Sequence, residues 1–100
     1  MGTCKITVAK ICIHTDLIEK YELPQKEPCF MKENDVFYSY SGEKPEGFCD
    51  VAWNILKPYI ERLEKGETKI YGDWMKNPSS VMISCDDGFR PVSFYAEKIE

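Results

Sequence analysis

The chain has 100 residues, of which 43% are hydrophobic, 13% aromatic and 30% charged. A chain of this length and composition folds as one domain around a single core, which excludes both a two-domain protein and a disordered one. The formal net charge of −4 argues against a nucleic-acid partner, because proteins that bind nucleic acid usually carry a basic patch.

The cysteines show no C-x-x-C spacing, and there are five of them: Cys4, Cys12, Cys29, Cys49 and Cys85. An odd number cannot pair fully within one chain, and the spacing excludes a zinc ribbon or a thioredoxin-type motif. No apolar run approaches the roughly 20 residues of a membrane span, and residues 1–13 lack the pattern of a secretory signal. We therefore expect a cytoplasmic protein with no membrane partner, whose cysteines are reduced thiols or metal ligands.

The first half of the chain predicts a strand, a short helix and a second strand. Residues 5–13 are rich in β-branched side chains, but the parity of the apolar positions changes midway. This change predicts either burial on both faces or a bulge near Lys10. A short helix is expected to end at Tyr21, and the aromatic run V-F-Y-S-Y at residues 36–40 predicts the second strand.

Residues 47–66 predict the principal helix of the domain, which spans about residues 49–65. Gly47 ends the preceding turn, and Gly66 fits the stop because basic residues occupy the last turn before it. Pro58 removes one backbone donor, so we expect either a kink or a break at that position. The apolar residues at the spacing of one helix face are Ala52, Ile55, Leu56, Tyr59 and Leu63.

The last part of the chain predicts a β-hairpin. Residues 81–85 and 92–96 alternate apolar and polar side chains around the turn sequence D-D-G-F-R-P. A further short strand is expected around residues 69–71. The order of elements predicts a single α+β domain over residues 1–100, with a mostly antiparallel sheet of four to five strands packed by the one principal helix.

Three motifs, P-C-F, P-E-G-F-C-D-V-A-W and C-D-D-G-F-R-P-V-S-F, follow the opening K-I-T-V strand in this order. With them the chain resembles a family of small prokaryotic proteins of similar length, most of them uncharacterised. The resemblance spans nearly the whole chain and places the cysteines of that family on Cys29, Cys49 and Cys85. The chain departs from the family pattern at Val51, where an aromatic is frequent, and at Ser84, where a second cysteine is frequent. The resemblance implies the fold and points to the three cysteines, but it implies no activity.

Cys29, Cys49 and Cys85 form the leading candidate site. A helix N-terminus, where Cys49 is expected, favours the thiolate form that binds metals or attacks electrophiles. Three thiolates with a water, His14 or an aspartate would suit zinc or iron. The alternative is that the cysteines are small buried hydrophobic residues, which agrees with the inward parity of Cys85.

The remaining candidates carry weaker signals. Arg90 is the nearest candidate for holding an anionic group, but the better reading is that it pairs with Asp87 and braces the turn. We interpret His14 as an ordinary loop residue and not as the partner of a thiolate. Cys4 and Cys12 are read as structural or incidental. The candidates for catalysis are therefore Cys49, Cys85 and Arg90.

Two classes of function agree with these signals, and no motif decides whether the protein is an enzyme. The leading hypothesis is a small cytoplasmic cysteine-dependent protein whose three-cysteine cluster acts as a metal site or as a redox or nucleophilic thiol site. The alternative is a non-catalytic interaction module with structural cysteines. In that case exposed aromatic residues around Tyr71 and Trp74 dock on a protein partner or on a second copy, while Trp53 lies in the core.

Overall fold

The computed structural model describes residues 2–24 and 31–100 and confirms a small α+β domain. The elements in these ranges are β1 (Thr3–Ile11), α1 (Thr15–Tyr21), β2 (Val36–Tyr40), α2 (Asp50–Glu64), β3 (Ser80–Ser84) and β4 (Val92–Lys98). Across both ranges, neither helix has the length and apolar character needed to cross a membrane.

The strands form one antiparallel sheet in the order β2-β1-β4-β3. The first and last strands are the central pair, so β2 and β3 lie at the two edges. The register of β1 against β4 shifts between Val8 and Lys10, so of the two predicted alternatives the structure shows the bulge. Because of this shift, Ile6, Val8 and Ile11 all contact the core despite their different parity.

The principal helix, α2, is continuous and packs on one face of the sheet, where it contacts β1, β3 and β4. Pro58 lies inside the helix and does not split it, so a break at this position is excluded. The buried face is centred on Leu56 and Ile60, and for this reason Ile55 and Tyr59 are only partly buried. The buried residues are Ala52, Trp53, Leu56, Ile60, Leu63 and Glu64.

An aromatic cluster joins the helix to the sheet just before α2 begins. The ring of Phe48 lies 5.0 Å from that of Phe37 on β2, 6.0 Å from that of Trp53 on α2 and 5.3 Å from that of Phe94 on β4, measured between centroids. Trp53 is 7% exposed, which confirms its predicted place in the core. Edge-to-face and tilted ring pairs of this kind add to the hydrophobic stabilisation of the core.

The expected short strand at residues 69–71 is wrong, since the chain there makes turns. Lys69 and Gly72 both have left-handed backbone angles, with φ of +55° and +64°. The Gly72 N–H donates to the Lys69 carbonyl at 2.8 Å, and the Lys69 N–H donates to the Pro78 carbonyl at the same distance. Left-handed residues reverse the chain, so this segment folds back as a compact loop instead of pairing as a strand.

Candidate functional site

Cys49 occupies the N-cap position of α2. Its backbone is extended (φ −63°, ψ 125°), and its side chain makes no capping hydrogen bond. Gly47, two residues earlier, has a φ of +78° that a residue with a side chain would adopt only with strain, and this turn delivers the thiol to the helix start. Cys49 is partly buried against the core, at the positive end of the helix dipole.

Cys85 directly follows β3 and continues its pairing with β4. Its backbone N–H donates to the Val92 carbonyl at 3.0 Å, and the Val92 N–H approaches the Cys85 sulfur at 3.3 Å. The side chain is partly buried and packs against the core. This agrees with the inward parity read from the sequence and fixes the position of the sulfur at the end of the strand.

Cys49 and Cys85 lie toward the same end of the sheet. Val92, which contacts the Cys85 sulfur, opens β4 beside the end of β1. The opposite end of α2 lies beside the start of β1, because the Glu64 carboxylate accepts a hydrogen bond at 2.9 Å from Gly42, two residues after β2. The helix therefore begins near the end of the sheet that holds Cys85.

Cys29 lies outside the described residues, so the three-cysteine cluster stays a prediction. Within residues 2–24 and 31–100, no three His, Cys, Asp or Glu side chains are grouped so that they could hold a metal ion. The cysteines in these ranges are free thiols: Cys4, Cys12, Cys49 and Cys85.

Cys4 and Cys12 differ in burial. Cys4 is fully enclosed in the core. Burial raises the pKa of its thiol to about 12, with a further increase from the negative charge of Glu64 and an opposing effect of Lys98. Cys4 is therefore a neutral structural thiol. Cys12 follows β1 and is partly buried, and its backbone N–H donates to a carbonyl of the loop before β4 at 3.0 Å.

Arg90 makes a different ion pair from the one expected. Its guanidinium donates to both carboxylate oxygens of Glu22, at 2.8 and 3.0 Å, and not to Asp87. The Asp87 carboxylate instead accepts the backbone N–H groups of Phe89 and Arg90, at 2.8 and 3.1 Å. The His14 backbone N–H donates to the Phe89 carbonyl at 2.9 Å, and its exposed side chain does not cap α1. Arg90 is thus occupied in joining this loop to the end of α1.

The edge of the sheet at β2 is open along the described part of the chain. The Val8 N–H donates to the Asp35 carbonyl at 2.8 Å, and the Ser41 N–H donates to the Gly2 carbonyl at 2.9 Å. Because alternate residues of an antiparallel strand bond the same neighbour, the odd-numbered residues of β2 pair with β1 and the even-numbered ones direct their backbone groups away. Among these outward groups, the described residues supply one partner, the Glu43 N–H, which donates to the Tyr40 carbonyl at 3.1 Å.

The side chains on this edge are large, apolar and exposed. Val36 and Tyr38 are each 42% exposed and Tyr40 is 59% exposed. The two tyrosine rings stack with centroids 6.5 Å apart and an interplanar angle of 23°. All three side chains project from the sheet face opposite Phe37 and Ser39, which point toward α2 and the core. The sequence predicted the strand but not this surface, because periodicity alone does not show which strands lie at the edges.

The opposite edge, at β3, is covered by the loop after α2. The hydroxyl of Tyr71 donates to the Met82 carbonyl at 2.6 Å, and Met82 is an outward-facing residue of β3. Within the same loop, Asn77 accepts the Ser79 N–H through its side chain at 2.9 Å and the Ser80 hydroxyl through its carbonyl at 2.7 Å. The loop is therefore tied to the strand by side-chain bonds at both its start and its end.

Trp74 lies on this covering loop and is 84% exposed, as predicted. Its ring contacts that of Tyr71 at 5.9 Å, and the ring of Tyr71 contacts that of Tyr59 on α2 at 6.5 Å, both edge to face. Tyr71 thus contacts Tyr59 and Trp74 through its ring, and its hydroxyl bond to Met82 gives it a structural role. The docking surface around Tyr71 and Trp74 stays a prediction, in which Trp74 is the exposed residue and Tyr71 is partly buried.

A shallow cavity of about 220 Å³ lies near the end of α2, at the opposite end of the helix from Cys49. Its lining includes Glu64, whose carboxylate accepts the hydrogen bond from Gly42, and the exposed side chains of Glu61 and Lys65. The buried carboxylate already has a backbone donor, so it serves to anchor the turn that follows β2 to the helix. Of the predicted site residues that the structure describes, none lines this cavity.

No protein-family model, no curated protein and no solved structure matches this chain. The molecule thus offers two candidate regions, the cysteine end of the sheet and the open edge at β2.

Proposed function

We propose that the protein is a non-catalytic interaction module that binds an extended polypeptide segment along β2. The observation that carries this proposal is the row of outward backbone groups on β2, of which the N–H and C=O of Val36 and Tyr38 have no partner among the residues that the structure describes. An unpaired strand edge is a template for another strand, because its donors and acceptors repeat at the spacing of an extended chain.

The composition of β2 favours an uncharged, apolar partner segment. The strand V-F-Y-S-Y contains no charged residue and no proline, the two features that commonly protect an exposed edge. Alternate residues of a partner strand would lie beside Val36, Tyr38 and Tyr40 on the open face. Tyrosine supplies a large contact area there at a small cost in side-chain entropy.

The edge is also held rigid before any partner arrives. The Ser39 hydroxyl donates to the Glu43 carbonyl at 2.8 Å, and the Glu64 carboxylate fixes the Gly42 N–H. Together these bonds secure the turn that ends β2. A strand that is already ordered spends less conformational entropy on binding, which favours recognition through the backbone.

Panning a random peptide library displayed on phage against sparsely immobilised protein tests this proposal. We expect enriched peptides to be extended and uncharged, and to bind at least tenfold more weakly to Tyr38→Pro, which removes an outward donor. The matched control is Met82→Pro on β3, because Met82 and Tyr38 are the central residues of the two edge strands and are equally exposed, at 42%.

Two results of the panning experiment would overturn the proposal. Either no peptide is enriched, or the enriched peptides bind the Tyr38→Pro and Met82→Pro proteins equally well. Circular dichroism checks that both variants are folded, so that a loss of binding cannot come from unfolding. Tyr38→Thr keeps the backbone donor and the strand preference, so it reports how much of the binding comes from the ring.

The second candidate is the cytoplasmic thiol site formed by Cys29, Cys49 and Cys85 with zinc or iron, or acting as reactive thiols. The convergence of Cys49 and Cys85 toward one end of the sheet favours it, and the family resemblance points to the same three residues. The fixed contact between the Val92 N–H and the Cys85 sulfur supplies one ordered position of such a site.

Elemental analysis of anaerobically purified protein, with a thiol count on the same sample, tests the second candidate. Stoichiometric zinc or iron, lost in Cys49→Ser, would establish a metal site. The absence of metal together with one fast-reacting thiol would favour redox or nucleophilic chemistry. Cys4→Ser is the matched control because its thiol is fully buried, and that variant should keep any metal. Five thiols that stay unreactive until the chain unfolds would overturn both forms of this candidate.

A further inference from the structure

We infer that the segment bound by β2 is β2 of a second copy of this chain, paired antiparallel about a two-fold axis at Tyr38. This inference rests on the proposed function and names its partner. The resulting dimer would have one continuous sheet, in which the two β2 strands lie side by side at the centre and the two β3 strands form the outer edges.

The outward groups of β2 are arranged symmetrically about Tyr38. The residues that direct their backbone away from β1 are Tyr38 at the middle of the strand, Val36 two residues before it and Tyr40 two residues after it. In the antiparallel register centred on Tyr38, this residue faces its own copy and Val36 faces Tyr40 of the other copy. The central pair is then of the hydrogen-bonded type, which exchanges two N–H···O bonds. Each outer pair adds the bond from the Tyr40 N–H to the Val36 carbonyl, since the Tyr40 carbonyl already accepts the Glu43 N–H.

The same register brings the exposed apolar side chains together. Cross-strand neighbours project to the same face of a sheet, so Val36, Tyr38 and Tyr40 would meet their copies on the open face. In a single copy these side chains are 42%, 42% and 59% exposed, and pairing of the two strands would lower these exposed fractions. Aromatic and aromatic–β-branched pairs are among the favourable cross-strand combinations, and the parallel stacking of Tyr38 and Tyr40 already orders the rings.

The distribution of charge favours a second copy at β2. The net charge of −4 makes two copies repel each other in general, but β2 itself contains no charged residue that would face its own copy. On the neighbouring strands the register places Lys5 of β1 opposite Tyr38 and Glu97 of β4 opposite Lys5. These two are of opposite sign and adjacent, so they offset each other within one copy and leave the central pair of strands uncharged.

The covered edge cannot pair in the same way. On β3 the corresponding central residue is Met82, whose carbonyl already accepts the Tyr71 hydroxyl. A second strand at β3 would have to displace this bond and the loop that carries it. Pairing between copies through β2 therefore closes the dimer and does not extend into a fibre.

Sedimentation equilibrium over a wide range of protein concentrations tests the inference. We expect a concentration-dependent dimer in the wild type. Tyr38→Lys should raise the dissociation constant of the dimer at least tenfold, because two introduced ammonium groups would face each other across the axis. Met82→Lys places the same charge on an equally exposed central residue of the other edge, so its dissociation constant should stay within about twofold of the wild type.

A mixture of two charge variants tests the register itself. Tyr38→Glu should also dissociate when alone, for the same reason as Tyr38→Lys. Mixed in equal amounts, the two variants should associate more tightly than either does alone, because opposite charges then face each other across the axis. Failure of the mixture to associate more tightly than its components would overturn pairing centred on Tyr38.

The outcomes separate this inference from the function on which it rests. A wild type that stays monomeric at every concentration, while library peptides bind it and are lost in Tyr38→Pro, overturns the second copy and keeps the strand-binding module. A dimer that resists both Tyr38 charge variants but dissociates in Trp74→Ala moves the interface to the exposed indole and overturns the inference. A monomer that binds no peptide overturns both.

Discussion

The two edges of the sheet are strands of the same length and similar polarity, yet a loop covers one of them and leaves the other open. β2 (V-F-Y-S-Y) and β3 (S-V-M-I-S) each have five residues and no charge. At β3 the loop after α2 returns to the strand, and the Tyr71 hydroxyl donates to the Met82 carbonyl. At β2 the described residues supply only the Glu43 N–H, at the very end of the strand.

The connections that lead from the two edges to and from α2 differ in length. Fifteen residues separate α2 from β3, enough for a loop that reverses at Lys69 and Gly72 and lies against the strand. The connection from β2 to α2 is shorter, and the bond between Glu64 and Gly42 holds it to the helix. It therefore secures the end of β2 without covering its side.

The largest predicted effect is a difference in the free energy of unfolding between proline substitutions on the two sides of β2. Ser39→Pro removes an N–H that pairs with β1 and should lower the free energy of unfolding by about 3 kcal/mol or more. Tyr38→Pro removes an outward N–H and should cost about 1 kcal/mol, chiefly through strand preference. Urea denaturation measures both. Ser39→Ala isolates the lost hydroxyl bond, and equal costs for the two proline variants would contradict the assignment of the open side.

Loosening the loop that covers β3 should have a smaller effect. Asn77→Ala removes the side-chain oxygen that accepts the Ser79 N–H, and we expect a loss of about 1 kcal/mol of unfolding free energy. Amide hydrogen exchange should accelerate in residues 80–84 more than in residues 36–40. The reverse order would show that the loop does not protect this edge. Asn54→Ala, at an exposed position of α2, controls for the loss of an asparagine elsewhere.

Ionisation of Tyr71 at high pH should break the hydrogen bond through which the loop covers β3. Burial, with a smaller contribution from Tyr59, raises the pKa of the Tyr71 phenol above its ordinary value of 10.0. The folded state thus holds this proton more tightly than the unfolded chain, so the stabilisation is complete below about pH 10 and is lost as the pH rises through the folded-state value. Tyr71→Phe should lose less stability than the wild type between pH 9 and 11 in thermal melts, and equal losses would contradict the assignment.

The smallest effect is expected at Trp74. Its indole is 84% exposed, so Trp74→Ala should change the free energy of unfolding by less than about 0.5 kcal/mol. The variant should also keep the dimer if pairing occurs through β2. Thermal denaturation and sedimentation measure the two quantities. A larger loss of stability would show that the contact with the Tyr71 ring helps to hold the covering loop in place.

Much of the fold was predictable because its signals are local. The helix face, the alternation in the hairpin and the glycines that flank α2 each depend on residues within a turn or two of one another. The change of parity in β1 predicted either burial on both faces or a bulge near Lys10, and the register shift between Val8 and Lys10 decides for the bulge. The mistaken strand at residues 69–71 is the exception, since β-prone side chains are overridden there by left-handed backbone angles at Lys69 and Gly72.

The candidate sites were less predictable because they depend on contacts between distant residues. Arg90 was expected to pair with Asp87 nearby, but it binds Glu22, 68 residues away in sequence. The sequence pointed to Tyr71 and Trp74 as a docking surface, whereas the structure uses Tyr71 to cover an edge. The exposed tyrosines of β2 were read only as strand formers, since their exposure depends on which strand becomes the neighbour of β1.

By itself, the sequence determined the α+β class, the principal helix and the place of Trp53 in the core. These follow from periodicity, turn chemistry and the cost of exposing apolar side chains, all of which act locally along the chain. Only the tertiary structure decided the strand order β2-β1-β4-β3, the closure of one edge and the openness of the other. Strand order depends on pairing between segments far apart in sequence, and no local pattern specifies which backbone groups are left without a partner.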